Sequence, residues 1–413
     1  MENRLIFVNR YFYPDYSATS QILSDLAFAL AAAGHAVSVV TSQQTYDDPQ
    51  ARLPPQEKIR GVDIHRLSTS RFGRSALWGR AIDYISFYAG AYRILRGLVR
   101  PGDIMVAKTD PPLLSVIAMR SAHRSGARGI NWLQDLYPEV AIELGVPLIK
   151  GAATMLTKLR DQSLRQAAAN VVLEQRMADR LRARAVDANA IHIIPNWCDD
   201  ESIKPIAASH NPLRHAWGLT DKFVVGYSGN LGRAHEFQTV LRASEQLRDH
   251  PRVVFLMIGG GHQFELLKET VKARSLDSIW QFRAYQEREA LNLSLCVPDL
   301  HWISLKPALE GLIVPSKFYG IAAAGRPIIA IAAADSDISR LARQHGCGIV
   351  IEPGDATHLA KTVRELVDDP EQVAIMGRRA RTMLEEKFTR LHAIHRWEEL
   401  IARIDAGVLV DRI

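Results

Sequence analysis

Four stretches of this chain place glycine, hydroxyl and charged side chains at spacings suited to an anionic ligand. The first is Tyr227-Ser228-Gly229-Asn230-Leu231-Gly232-Arg233-Ala234-His235, directly after the apolar run Phe223–Tyr227. Its glycines let backbone approach an anion closely, the N–H groups of the helix that follows would face it, and Arg233 and His235 add positive charge. The competing reading is a glycine-bearing strand–helix turn. The second is Ile258-Gly259-Gly260-Gly261-His262, with more glycine than chain reversal needs. It suits backbone lying against a ligand and, equally, a tight turn. The third runs from Glu310-Gly311 through Pro315-Ser316-Lys317 to Gly325. Pro315 opens a helix and Gly325 ends it, so Ser316 and Lys317 fall in the first turn. A lysine there opposes the helix dipole unless an anion such as phosphate offsets it; the alternative is a solvated surface lysine. The fourth, Tyr11 to Thr19, contributes Tyr13, Ser17, Ala18 and Thr19 between the first strand and the first helix. The run Gln134–Glu139 brings Asp135 to the same edge, either to orient a hydroxyl or take its proton, or to cap a helix.

Neither GxGxxG nor the Walker A pattern occurs in the glycine loops, so the dinucleotide and ATP fingerprints are both unmet. Cys198, Cys296 and Cys347 are scattered without metal-ligand spacing, which argues against a zinc site or a disulfide framework and favours a reducing cytoplasm. A net charge of +6 suits an anionic ligand or membrane surface and is too diffuse to argue nucleic acid.

Such residues need a frame, and short apolar runs alternating with amphipathic stretches supply it: open parallel α/β architecture. Strands are expected at Leu5–Asn9, Ala36–Thr41, Ile64–Leu67, Ile104–Ala107, Gly129–Leu133, Asn170–Leu173 and His192–Ile194, with helices between them. After a polar stretch without clear period the alternation restarts at Phe223. Two Rossmann-like domains follow: residues 1–200, a linker at 201–220, and 221–387, with ligands at the carboxyl ends of the strands. No run of about 18 apolar residues occurs, and the N-terminal run is a strand's length, so neither a membrane span nor a signal peptide is expected.

The order YFYPDYSATSQ, QDLYPE, IPNWCDD, SGNLGRAHEF, IGGG and EGLIVPSKFYG resembles family 4 glycosyltransferases of the GT-B fold. Within them it is similar to the bacterial exopolysaccharide, colanic-acid and O-antigen branch and to the lipid-linked aminosugar transferases. The resemblance implies an acceptor-binding N-terminal domain, a nucleotide-sugar-binding C-terminal domain, and a C-terminal helix (388–413) packing back on the first. It also implies transfer from a nucleoside diphosphate sugar, with a uridine diphosphate sugar, N-acetylated ones included, as the favoured donor. A glycan or polyprenyl-diphosphate-linked acceptor, retention of configuration, and no metal or other cofactor complete the expectation. Glu310 matches the first glutamate of the family's E-x7-E motif and would contact donor-sugar hydroxyls. Pro315, Ser316 and Lys317 would lie by the diphosphate, with Gly229, Asn230, Gly232, Gly259 and Gly260 around the donor. The second glutamate, a ribose ligand, aligns with Gly320 in the PSK-type spacing. The family's phosphate-binding Arg and Lys fall on Asn230 and His235, with Arg233 beside them. Arg233, His235 and Lys317 would then share the leaving diphosphate's charge, with Asp135 as a further catalytic candidate.

Residues 71–100 hold six arginines, six aromatics and Asp83 as the one acid. Trp78, Ile82, Ile85, Ala89 and Tyr92 recur at helical spacing. That stripe is either a surface for peripheral contact at the inner face of an anionic membrane or a core-facing seam. Three other functions remain on the same frame. A nucleotide-sugar epimerase would need carboxylates such as Glu310, Asp135 and Glu139 to converge. A nicotinamide oxidoreductase would need the missing fingerprint, and a non-catalytic nucleotide-sugar-binding protein is suggested by Gly320.

Overall fold

The computed structural model describes residues 4–72, 77–147 and 151–407. The apolar runs become buried strands because a sheet covered by helices on both faces hides both sides of each strand. In the first half β1 (Leu5–Val8), β2 (Val37–Ser42), β3 (Gln56–Ile59), β4 (Val62–Leu67), β5 (Ile104–Ala107), β6 (Arg128–Trp132), β7 (Ala169–Val172) and β8 (Ile191–Ile193) form one sheet. Its order is β3-β4-β2-β1-β5-β6-β7-β8. All neighbours are parallel except β3, which pairs antiparallel with β4 at the edge. Helices α1 (Ala18–Ala32), α2 (Leu77–Leu98), α3 (Leu114–Ser125), α4 (Glu139–Glu143), α5 (Ala152–Gln166) and α6 (Gln175–Arg182) connect the strands.

The second half begins with α7 (Pro212–Ala216) and β9 (Phe223–Asn230) and continues through α8 (Gln238–Gln246), β10 (Val253–Gly260), α9 (Phe264–Ala273) and β11 (Trp280–Arg283). Then come α10 (Leu291–Leu295), β12 (Leu300–Ser304), α11 (Lys317–Ala323), β13 (Ile328–Ile331), α12 (Asp337–His345) and β14 (Gly348–Ile351). Helices α13 (Ala356–Asp368), α14 (Pro370–Lys387) and α15 (Arg390–Asp405) close the chain. The six strands are parallel in the order β11-β10-β9-β12-β13-β14.

The chain divides into two compact units, the first running to Pro195 and also taking Gly311–Val314 and the chain from Leu391 onward. Membership of the last segment rests on packing. Trp397 of α15 meets Trp132 of β6 edge-on at 4.7 Å between ring centroids, and both rings are fully buried. The segment 201–220, expected as a linker, is instead built into the second unit. Arg214 is buried and paired with Asp299 at 2.9 Å, and Asn211 caps α7 by accepting from Leu213 N and Arg214 N. Asn211 and Arg214 are the buried polar anchors of a segment whose other polar residues are largely exposed.

Helix α2 settles the orientation of its aromatic stripe. Asp83, Phe87, Ala91 and Leu95 face the core, whereas Trp78, Ile82, Ile85 and Ala89 are exposed and Tyr92 is half-buried. The stripe is therefore not a core seam. Residues 73–76 of that basic segment lie outside the described residues.

Candidate donor site and the groups at the edge of the first sheet

In the second unit the two glycine loops are successive strand ends. β9 and β10 run in register to their last residues, pairing Gly229 with Gly259 and Asn230 with Gly260. A Cβ on Gly259 would stand 2.3 Å from the Gly229 carbonyl oxygen, and one on Gly261 would stand 2.2 Å from Asn230 Oδ1. Gly259 and Gly261 are thus required by close packing against the end of β9, whereas Gly260 faces the Tyr285 ring. Leu231 N donates to Gly260 O at 2.7 Å and Gln263 N to Leu231 O at 3.0 Å, so the two loops form one unit.

Lys317 is the cation this arrangement positions. Its stem crosses Gly229, whose φ of 116° and lack of a side chain leave the room; a Cβ there would lie 2.7 Å from Lys317 Cε. Its Nζ donates to Tyr227 Oη at 2.6 Å and to Asn230 O at 2.9 Å, above the Tyr227 ring at 4.5 Å. Burial lowers its pKa to about 8. Ser316 precedes α11 without a side-chain cap, and Gly325 follows the helix with φ 64°.

His235 lies 3.5 Å from Lys317 through Nε2, while its Nδ1 donates to Ser304 O at 2.8 Å. Burial, and then the Lys317 charge, lower its pKa to about 4. With Nδ1 donating to Ser304 O, Nε2 turns its lone pair toward the lysine, and burial disfavours the positive charge expected from His235. Arg233 is exposed in the same loop. Helix α8 starts at Gln238, just after the loop, and Glu236 Oε1 accepts from its Thr239 N at 3.0 Å. Glu310 is buried and accepts from Ala333 N at 3.2 Å, which holds its carboxylate beside the end of β13. A Cβ on Gly320 would find only Leu295 within 4 Å, at 3.6 Å, so the position is not closed to a side chain by crowding.

In the first unit Asp135 follows β6 and forms a bridge with Ile313. It caps no helix, since α4 starts after Pro138. Beside it stands a residue the sequence reading passed over, Lys108, which follows β5 and is almost fully buried. Lys108 Nζ donates to Thr19 O at 3.0 Å and lies 3.9 Å from the Trp132 ring centroid. Burial lowers the Lys108 pKa to about 7, opposed by Asp110 and Asp135. Burial raises the Asp135 pKa to about 6, Asp110 adding to the rise and Lys108 opposing it. Lys108 thus bonds Thr19 directly and acts on Asp135 only through its charge. Of the other loop residues, Ser17 donates to Asp15 through its N–H at 2.8 Å, Ala18 is exposed, and Tyr13 packs against Phe28 with Arg60 over its ring. Glu139 is taken up by Arg160 at 2.6 Å and Arg184 at 3.3 Å, which removes one carboxylate an epimerase could have used.

Lys108 and Tyr227 were legible only in part. A lysine directly after an apolar strand is a signal, but its burial depends on Trp132, Thr19 and the core behind them. Tyr227 reads as a strand residue, and its hydroxyl matters because Lys317 comes to it from 90 residues away.

Two Rossmann-like units, the second with a lysine laid over its glycine loop, are the architecture of the GT-B glycosyltransferases. Residues 18–197 match the glycosyl transferase 4-like domain and residues 211–383 the glycosyl transferases group 1 domain. The chain belongs to this glycosyltransferase family and is a glycosyltransferase. It is 25% identical over 341 residues to WbjE of Pseudomonas aeruginosa, provisionally named a glycosyltransferase, covering 81% of this chain and 83% of that one. It is 24% identical over 389 residues to WcaI of Escherichia coli K12, provisionally named a colanic acid biosynthesis glycosyl transferase, covering 91% and 94%. Among solved structures, sucrose-phosphate synthase from Thermosynechococcus elongatus superposes with a TM-score of 0.79 at 16% identity, covering 98% of this chain and all of that one. Anabaena HepE in complex with UDP gives 0.73 at 14% identity, covering 97% and 99%. At these identities the structural likeness speaks to fold.

Proposed function

We propose that this glycosyltransferase moves a sugar from a nucleoside diphosphate sugar, uridine-linked and with N-acetylated sugars among the candidates, to a glycan or polyprenyl-diphosphate-linked acceptor in bacterial surface-polysaccharide synthesis. The single observation that carries the donor half is Lys317, an ammonium held over Gly229 by Tyr227 and Asn230. The provisional naming of WcaI for colanic acid synthesis and the UDP bound to HepE favour the same substrate classes.

In this reading the bond between the anomeric carbon and the diphosphate oxygen breaks while the acceptor oxygen bonds that carbon on the same face. The acceptor's proton passes to the departing phosphate, so configuration is retained without an enzyme nucleophile. Lys317 stabilises the charge that develops on the leaving diphosphate, a role worth orders of magnitude in rate when the donor is fixed and desolvated. Arg233 adds charge from the exposed side. Glu310 holds donor-sugar hydroxyls, and Asp135 with Thr19 orients the acceptor. With charge compensation supplied by side chains, transfer needs no metal, and activity should survive a chelator.

The test is a thermal-shift screen against nucleoside diphosphates and nucleotide sugars, followed by transfer assays with whichever stabilises the chain. A rise in melting temperature with one base and one sugar supports the reading. No shift with any of them removes the donor site.

A further inference from the structure

Three helices of the first unit carry charge of one sign on their outer faces. Helices α2 and α3 share a core against the sheet through Phe87, Leu95, Ala118 and Met119, and Ser115 of α3 meets Ser163 of α5 at 3.0 Å. Outward they present Arg93, Arg96, Arg120, Arg124, Lys158 and Arg165, all exposed. The two acids on these helices, Asp83 and Asp161, are buried; Asp83 accepts from Ser70 at 2.6 Å and Asp161 pairs with Arg160 at 2.7 Å. No exposed acid balances the arginines on this layer of described residues.

The same layer exposes large apolar side chains. Trp78, Ile82 and Ile85 are 77%, 45% and 64% exposed at i, i+4 and i+7 on α2, with Phe72 at 62% just before the helix. Met155 and Leu159 are 57% and 38% exposed on α5. Along α2 the apolar row passes into Arg93 and Arg96 on one stripe, a span of about 27 Å from Trp78 to Arg96. A soluble surface gains nothing from an exposed tryptophan beside two isoleucines.

We infer that this face of α2, α3 and α5 docks on an anionic lipid bilayer, with Trp78, Ile82 and Ile85 entering the interface and the arginines meeting lipid phosphates. Charge complementarity selects this occupant. A second copy of the same face would set arginine against arginine with no acid between them. Single-stranded nucleic acid could stack on Trp78 and Phe72 but would leave Ile82, Ile85, Met155 and Leu159 facing water. The inference is independent of the donor reading, because vesicle binding can be measured without any sugar nucleotide.

The experiment uses the full chain with phosphatidylcholine vesicles prepared with and without phosphatidylglycerol. Trp78 is the one exposed tryptophan among the described residues. The expected result is co-sedimentation with anionic vesicles, a blue shift in emission, and quenching by brominated lipid. Arg93→Glu with Arg96→Glu should weaken vesicle binding by about a hundredfold at low salt. Trp78→Ser should abolish the blue shift, and circular dichroism melts confirm that each variant is folded. Unchanged binding by both variants, or equal binding to phosphatidylcholine alone, overturns the inference. So does light scattering that shows a dimer lost in the variants, since the face would then belong to a second copy.

Discussion

Lys317 Nζ rests 2.6 Å from the hydroxyl of Tyr227, whose own proton goes to Asn230 O at 2.8 Å. The lysine is thus held by a side chain of the strand and by the carbonyl at that strand's end. Replacing Tyr227 with Phe deletes a hydrogen bond to a charged donor, worth about 1.5–3 kcal/mol. Nucleoside diphosphate affinity, read by titration calorimetry, should fall on the order of tenfold, and the melting temperature by several degrees. Gly229→Ala should cost more, because its Cβ would displace the Lys317 stem from a backbone conformation that only glycine holds easily. Equal effects in the two variants would show that the lysine is not laid over Gly229 when it acts.

Activity should follow pH in a bell. Asp135, raised to about 6 by burial, is a carboxylate above that pH and neutral below it, so kcat/KM should climb through about 6. Lys317, lowered to about 8 by burial, is a cation below that pH, so the rate should decline as pH rises through about 8. Lys317→Arg should carry the alkaline limb to higher pH. His235→Gln should leave both limbs in place, because His235 titrates near 4. An alkaline limb that stays put in Lys317→Arg assigns it to another group.

Much of the frame behind these groups was legible in advance. β5 falls at the expected residues, Ile104–Ala107, because it is a clean apolar run. Strand β3, reading Gln-Glu-Lys-Ile, was not expected, since an edge strand exposed on alternate residues has no apolar signature. Lys317 was visible from its glycine and proline neighbours. The neutrality of His235 was not, for it depends on burial in the folded unit and on the charge of Lys317, 82 residues away in sequence. The position of Gly311–Val314 in the first unit, between Glu310 and Pro315 of the second, left no mark in periodicity.

Lys108 tests the first unit. Its charge lowers the Asp135 pKa, so Lys108→Gln should move the acid limb of the pH profile upward from about 6. It should also raise the KM for acceptor more than that for donor, because Thr19 loses its tie to β5. A variant that lowers kcat uniformly, with the limb unmoved, would reduce Lys108 to a structural role.

The packing of α15 makes a stability prediction. Trp397→Ala removes the ring that meets Trp132 and should cost about 3–5 kcal/mol. Calorimetry should show a lowered melting temperature, and Trp397→Phe should recover part of the loss. A melting temperature unaffected by Trp397→Ala would mean that the helix adds little to the first unit.

The placement of Lys317 has a consequence for the entropy of binding. A lysine free in solvent gives up rotamer entropy, of order 1.5–2 kcal/mol, when it is fixed on a ligand. Here Tyr227 and Asn230 have already restricted the side chain, so that loss falls on folding rather than on association. Diphosphate capture should accordingly carry a small entropic penalty, and loosening the lysine should appear first as a less favourable entropy of binding.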